Sequence, residues 1–260
     1  GVAVLIVVLS VMNGVEQAQW RCELLLQGEG CEERLFTNTE LDALATGRST
    51  DWIGLALRRG LQQQHDLSFS GGSEGTRYYI AGSMLDVEGL AKNDQFQRAT
   101  LRVNLNQDVT SWLSMGTSTQ LANVDRSGLP ANFGAAFRLS PLTIPFDDEG
   151  NQMIYPWPED PFFGNPLEPL LVTDDNVSRR VLSSNYLEVQ FPFVEGLSYR
   201  LNGGVDFASG DLGRYYGRDT QTGVGVRGVA VVQNSTRREV TVENIVNFSR
   251  GFGIHDIGFT

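Results

Sequence analysis

Hydrophobic and polar residues alternate one by one over much of the chain from about residue 62 onward. Between residues 98 and 105, for example, Leu101 and Val103 share one face of a strand while Thr100 and Arg102 share the other. The same period recurs at residues 65–70, 77–85, 112–121, 186–191, 199–207 and 239–248. Because successive side chains of a strand point to opposite faces, these segments predict strands with one apolar and one polar face. Most of them approach about ten residues, the length that a tilted membrane-spanning strand requires.

The connections between these segments alternate between short and long. Residues 71–75, 107–111, 192–196 and 249–253 form the short ones, and residues 86–95, about 122–179 and about 208–238 the long ones. The last long connection could hold a small hairpin of its own around Val229–Val232. In an antiparallel sheet this order places all short turns at one end, as in outer-membrane barrels. Aromatic residues near the short turns fit an interfacial girdle: Trp112, Phe191, Phe193, Tyr199, Phe248 and Phe252.

The N-terminal part has a different pattern. Residues 12–27 carry apolar side chains at helical spacing behind Asn13, and residues 39–44 predict a second short helix with Thr39 as its cap. The apolar run 2–11 is too short for a membrane-spanning helix, which needs roughly 20 residues. Cys22 and Cys31 could form a local disulfide or remain thiols. Both ends look cut, so a fragment of a longer protein is expected.

Composition narrows the classes of partner. The 260 residues carry 20 Lys+Arg against 31 Asp+Glu, a formal net charge of −11, which argues against a nucleic-acid partner. The hydrophobic content of 41% is modest, as expected if only alternate strand residues meet lipid.

Matches to catalytic motifs lack their structural context. Gly71–Gly75 fits G-x-S-x-G, yet strand-like residues follow Ser73 where a hydrolase needs a helix. Gly223–Gly228 fits G-x-G-x-x-G without the flanking strand and helix of a dinucleotide site. His65 and His255 stand alone, and residues 147–150 are expected to be an exposed acidic turn, with calcium binding as the less favoured alternative. No enzyme, metal site or cofactor is predicted, and a hydrolase using Ser73 is the least favoured possibility.

The long connection at about 122–179 is the expected functional region because it is rich in proline and aromatic residues. Flat aromatic faces beside acidic residues suit sugar rings or peptides, although they could equally pack the loop against itself. The candidate substrate-contact residues are Phe133, Phe137, Tyr155, Trp157, Phe162 and Phe163.

Several short stretches together resemble the SusC/RagA family of TonB-linked outer-membrane proteins. They are residues 49–52 (STDW), 64–73 (QHDLSFSGGS), 78–79 (YY), 85–89 (LDVEG), 102–105 (RVNL), 108–113 (DVTSWL) and 164–167 (GNPL), with Val11–Gly14, Glu16 and Ala18 upstream. The resemblance covers most of the chain from about Val11.

This resemblance implies a fold, a location and partners. It implies an all-β chain: about eight strands of a larger antiparallel transmembrane barrel in the outer membrane of a bacterium, preceded by a short helical segment. Residues 1–61 would hold a first-strand remnant and a helical extracellular insertion, and residues 62–260 the early barrel. It further implies active import of a glycan or peptide, powered through TonB, with a SusD-like surface lipoprotein as partner and with membrane lipid and lipopolysaccharide around the barrel. No plug or TonB-contacting segment is recognisable, and Val2–Leu9 is the candidate first strand.

The alternative from a different class is a soluble, secreted all-β carbohydrate-binding module. It would bury the faces of Leu101 and Val103 against those of Leu201 and Val205 in a closed core, whereas a membrane barrel would leave them exposed.

Overall fold

The computed structural model describes residues 36–260. The expected strand at Val2–Leu9, the helix at residues 12–27 and the possible Cys22–Cys31 disulfide lie outside the described residues. None of the helices within residues 36–260 is long and apolar enough to cross a membrane.

Eight strands form one antiparallel sheet in which each strand pairs with its sequence neighbours, in the order β1 to β8. The strands are β1 (Leu61–Gly72), β2 (Thr76–Glu88), β3 (Gln95–Thr110), β4 (Leu113–Asp125), β5 (Thr173–Gln190), β6 (Leu197–Tyr216), β7 (Val229–Phe252) and β8 (His255–Phe259). All the alternating segments lie within strands apart from Trp112 and Phe191 at segment ends, and the expectation of about eight strands is confirmed. Most strands extend further than the alternation indicated. Val229–Val232 begins β7, so the hairpin suggested there is wrong.

The register keeps the two faces apart across the sheet. On one face Phe69 lies beside Ile80, which lies beside Val103. On the other face Glu188 lies beside Arg200, and Asp206 lies beside Glu239. Because the side-chain period is two, a slip of one residue would move a strand's whole apolar set to the other face.

The connections sort by length as expected, with one exception. Residues 73–75, 111–112, 191–196 and 253–254 form the turns at one end of the sheet, and residues 126–172 and 217–228 form longer loops at the opposite end. The exception is the connection 89–94 at the loop end, which is no longer than the turn 191–196. Ser73 donates its backbone N–H to Thr76 O at 2.8 Å within a hairpin, so the G-x-S-x-G stretch is a turn between strands. Gly223–Gly228 leads into β7, and no helix follows it.

The sheet has no closed core. Leu101, Val205 and Val240 are 40%, 42% and 73% exposed. A soluble module would bury these side chains, whereas a membrane barrel turns them toward lipid. The alternative of a soluble carbohydrate-binding module is therefore wrong for this fold.

The polar face carries ion pairs between neighbouring strands. Arg180 of β5 donates both Nε and Nη2 to the two carboxylate oxygens of Asp206 on β6, at 2.8 and 2.6 Å. Arg200 Nη1 on β6 lies 3.2 Å from Glu188 Oε2 on β5, and its guanidinium stacks over the Tyr186 ring. Such side chains suit the water-filled interior of a barrel.

The buried apolar residues lie beyond the strands, at the end of the sheet with the longer loops. Residues 36–57, called the helical segment below, contain α1 (Asn38–Thr46) and α2 (Trp52–Ala56). They pack against the long loop, residues 126–172, which contains α3 (Phe133–Ala136) and a 3-10 turn (Glu168–Leu171). The residues buried between them are Phe36, Ala43, Trp52, Ala56, Ala131, Ala136, Leu139, Leu142 and Leu167.

The cap of α1 differs from the expected one. Thr37, and not Thr39, caps the helix: Glu40 N donates to the Thr37 side chain, and Thr37 N donates to Glu40 Oε2 at 3.1 Å. This reciprocal capping box satisfies two backbone donors. Thr39 instead donates its backbone N–H to Glu159 Oε1 in the long loop, at 3.0 Å.

Trp52 joins the helical segment to the long loop. Its side chain is 3% exposed, and Nε1 lies 3.1 Å from Ser140 O and 3.0 Å from Thr143 Oγ1. Beside it, Thr50 N donates to Pro141 O at 2.7 Å, and Thr50 Oγ1 donates to Thr143 O at 2.8 Å. These bonds hold residues 140–143 against the helical segment.

Trp52→Phe is expected to weaken the contact between the helical segment and residues 140–143 by about 2 kcal/mol, because it removes a buried donor together with its hydrogen bonds to Ser140 O and Thr143 Oγ1. Amide hydrogen exchange of residues 131–143 in the intact protein should accelerate accordingly. Trp112→Phe is the matched control, since Trp112 is 42% exposed beside a short turn. Unchanged exchange in Trp52→Phe would contradict the assigned role.

Candidate functional site

A cleft of about 420 Å³ opens in the long loop and is called the aromatic cleft below. Its walls come from α3, from residues 162–169 and from the loop 217–228. The side chains that give it chemical character are Asn132, Arg138, Phe162, Phe163, Glu168 and Gln221.

Local hydrogen bonds fix the α3 wall. The Asn132 side chain accepts a bond from Ala135 N at 2.9 Å and so caps this single turn of helix. Arg138, just after the helix, donates Nε to Gly134 O at 3.1 Å and stays exposed. The guanidinium therefore stands at the cleft with further donors to offer.

Asn165 holds the wall that carries the two phenylalanines. It is 4% exposed, and its Nδ2 donates to Pro145 O and to Met153 O, both at 2.9 Å. Its Oδ1 accepts from Leu167 N at 2.9 Å. The G-N-P-L stretch thus has a structural role, because one side-chain amide joins three parts of the loop.

Glu168 ties the loop 217–228 to the cleft. Glu168 Oε2 accepts a bond from Gln221 N at 2.9 Å. Burial raises the pKa of the Glu168 carboxyl, while the bond from Gln221 favours the ionised form. The carboxylate therefore acts as a connection between loops at one side of the cleft.

Three of the candidate aromatic residues lie together. Phe162 and Phe163 line the aromatic cleft and are 91% and 41% exposed. Trp157 stacks on Phe163 with ring centroids 6.0 Å apart and donates Nε1 to Thr37 Oγ1 at 2.9 Å. Trp157 thus links Phe163 to the helical segment, and Phe162 offers an open ring face.

The other candidates lie apart from the cleft lining. Phe133 and Phe137 form a pair on and just after α3, with ring centroids 6.1 Å apart. Tyr155 is half-buried. The sequence did not single out Asn132, Arg138, Glu168 or Gln221, and only long-range packing brings them together.

The acidic turn at residues 147–150 is exposed, as expected. The Asp147 carboxylate accepts bonds from Asn151 N at 2.8 Å and Glu149 N at 3.0 Å. The bonds from Asn151 are the main reason that the Asp147 pKa lies below its ordinary value. Within residues 36–260, no group of three or more His, Cys, Asp or Glu side chains is placed to hold a metal ion.

Comparison with known proteins gives relatives of one kind. No protein-family model matches the chain. The TonB-dependent receptor P3 of Formosa agariphila is 22% identical over 220 residues, which are 80% of this chain and 22% of the relative. The TonB-dependent receptor P39 of the same organism is 24% identical over 166 residues, 62% of this chain and 15% of the relative. The chain therefore spans about a fifth of the length of the receptors it matches.

Solved structures share the fold. A chain of the RagAB peptide transporter superposes with a TM-score of 0.69 at 17% identity. The match covers 95% of the chain described here and 31% of the transporter chain. The RagAB peptide importer in its open-open state gives 0.66 at 19% identity, with the same coverage. These relatives are receptors and transporters by name, and the pairing of strands matches a barrel wall. In sequence the chain is similar to a segment of TonB-dependent receptors, and its eight paired strands have the fold of the matching part of the RagAB transporter.

Proposed function

We propose that this chain forms the early barrel wall and a substrate-facing loop region of a receptor that actively imports a glycan or peptide across the outer membrane. The observation that carries the proposal is the division of the sheet into an exposed apolar face and a polar face with ion pairs, beneath a packed loop region that contains an open aromatic cleft. A channel through the membrane needs a sheet with one apolar and one polar face, and a selective entrance needs a cleft that can hold the substrate.

The aromatic cleft supports substrate capture at that entrance. Phe162 offers a ring face, Arg138 offers donors to hydroxyl, carbonyl or carboxylate oxygens, and Asn132 offers both donor and acceptor groups. Apolar contact combined with a few placed polar groups is typical of small-ligand sites.

The proposed partners follow from the resemblance and from the position of the loops. A SusD-like surface lipoprotein would cover the end with the longer loops, and TonB would supply energy from the opposite side of the membrane. Lipid and lipopolysaccharide would surround the apolar face. Affinity purification of the tagged full-length receptor in detergent should recover the lipoprotein.

The general test is uptake by cells that carry the full-length receptor. Deletion of the receptor gene should abolish uptake of its nutrient, and so should collapse of the proton gradient or deletion of TonB. Uptake that persists without TonB would contradict active import.

Phe162→Ala is expected to weaken nutrient binding by about 3- to 10-fold, since one aromatic contact contributes roughly 0.5–1.5 kcal/mol. The melting temperature should not change, because the ring is 91% exposed. Isothermal titration of the nutrient into the unchanged full-length receptor and into the Phe162→Ala variant measures the two affinities. Phe193→Ala is the control, because Phe193 is 96% exposed in a short turn at the opposite end of the sheet.

The orientation of the wall is tested by two adjacent residues of β7. Val240→Arg, on the apolar face, should impair membrane insertion by roughly 2–4 kcal/mol, because a charge would meet the hydrocarbon. Thr241→Arg should be tolerated, since Thr241 lies on the polar face between Glu239 and Glu243. Folding of each variant into lipid vesicles is measured by its heat-modifiable migration on a gel, and this distinguishes Val240→Arg from Thr241→Arg. Equal effects would contradict the assignment of faces.

A further inference from the structure

A second cleft, of about 950 Å³, lies between the helical segment and the turn at residues 144–153, and is called the acidic cleft below. It is distinct from the aromatic cleft and shares none of its lining residues. Its lining includes Arg48, Asp51, Leu55, Phe146, Asp147 and Asp148.

Both walls of the acidic cleft are held in place. On one side, Thr50, which lies in the lining, is bonded to Pro141 O and Thr143 O. On the other, Asp147 N donates to Asn151 O at 2.9 Å, and Gly150 takes a φ of +86°, which closes a tight turn. A ligand would therefore meet a preformed space and would not have to order these segments.

The interior of the cleft is partly apolar. Leu55, Ile144, Pro145 and Met153 are half-buried in its lining, and Phe146 is 36% exposed. This surface can receive methylene groups or an aliphatic side chain.

The charge of the cleft is negative. Asp51, Asp147 and Asp148 are exposed carboxylates in the lining. Arg48 is its one basic residue, and Arg48 Nη2 lies 3.3 Å from Asp42 Oδ2, so its charge is already partnered. The potential inside the cleft favours a cation.

Negative charge spread along an apolar surface suits a long cationic side chain better than a compact ion. Lysine and arginine lay their aliphatic stems on apolar surface while the charged head reaches a carboxylate. A divalent ion needs several oxygens converging on one point, and the described residues bring together no such group.

We propose that the acidic cleft binds a basic side chain of a cationic peptide. This inference rests on the proposed import function and narrows its ligand to peptides that combine apolar residues with lysine or arginine. The aromatic cleft and the acidic cleft would then contact different parts of one extended ligand.

The test uses the full-length receptor in detergent and a capped hexapeptide of alternating leucine and lysine, measured by isothermal titration at low and high salt. The probe for comparison is the same peptide with norleucine in place of lysine. The lysine peptide should bind more tightly, and its advantage should shrink at high salt because exposed charges are screened.

The variant Asp51→Asn with Asp148→Asn should weaken binding of the lysine peptide about 5-fold and leave the norleucine peptide unchanged. Asparagine can still cap α2 through the bond now made by Asp51 to Gly54 N, so the fold should persist. The matched control is Asp94→Asn with Asp175→Asn, which removes the same charge from exposed positions outside the cleft. Equal affinities for the two peptides, or equal losses in the two variants, would overturn the proposal.

Failure of this inference can be told apart from failure of the proposed function. If the receptor supports TonB-dependent uptake of some nutrient but does not prefer the lysine peptide, only the inference about the cleft is wrong. If no TonB-dependent uptake occurs, the import proposal fails, whatever the titration gives.

Discussion

The ladder of backbone hydrogen bonds between neighbouring strands is the constraint on which the rest of this structure depends. Inside a bilayer no water is available to pair with N–H and C=O groups, so each strand must be bonded along its length to the next. Here β1 to β8 pair only in sequence order and always antiparallel. The pairing fixes the register, and the register in turn puts Ile80, Val103 and Val205 on one face and Arg102, Asp206 and Glu239 on the other.

A single sheet of this kind has no core of its own, so the buried apolar contacts lie among the helical segment and the long loop. The described apolar residues that are fully buried come from the helical segment and the long loop. Trp52 combines apolar burial with two hydrogen bonds there. The long loop is thereby a folded unit at the end of the strands, able to hold side chains in fixed positions despite its length.

Asn165 connects the two clefts of that unit. It lies in the lining of the aromatic cleft, while its Nδ2 bonds to the carbonyl groups of Pro145 and Met153, which line the acidic cleft. A single buried amide therefore joins the segment that carries Phe162 to the turn that carries Asp148. Recognition of an extended ligand would depend on this connection as much as on either group alone.

The sequence alone determined the strands and their faces, because alternation is a local property of residues two apart. It also contained the signal for the true cap of α1, Thr37 followed three residues later by Glu40, although Thr39 was the predicted cap. Strand ends escaped prediction: in residues 173–180 and 229–238 both faces are polar in places, since outside hydrocarbon neither face must be apolar. Only the tertiary structure decided the clefts, because Arg138, Glu168 and Gln221 meet through packing between distant segments that no local pattern records.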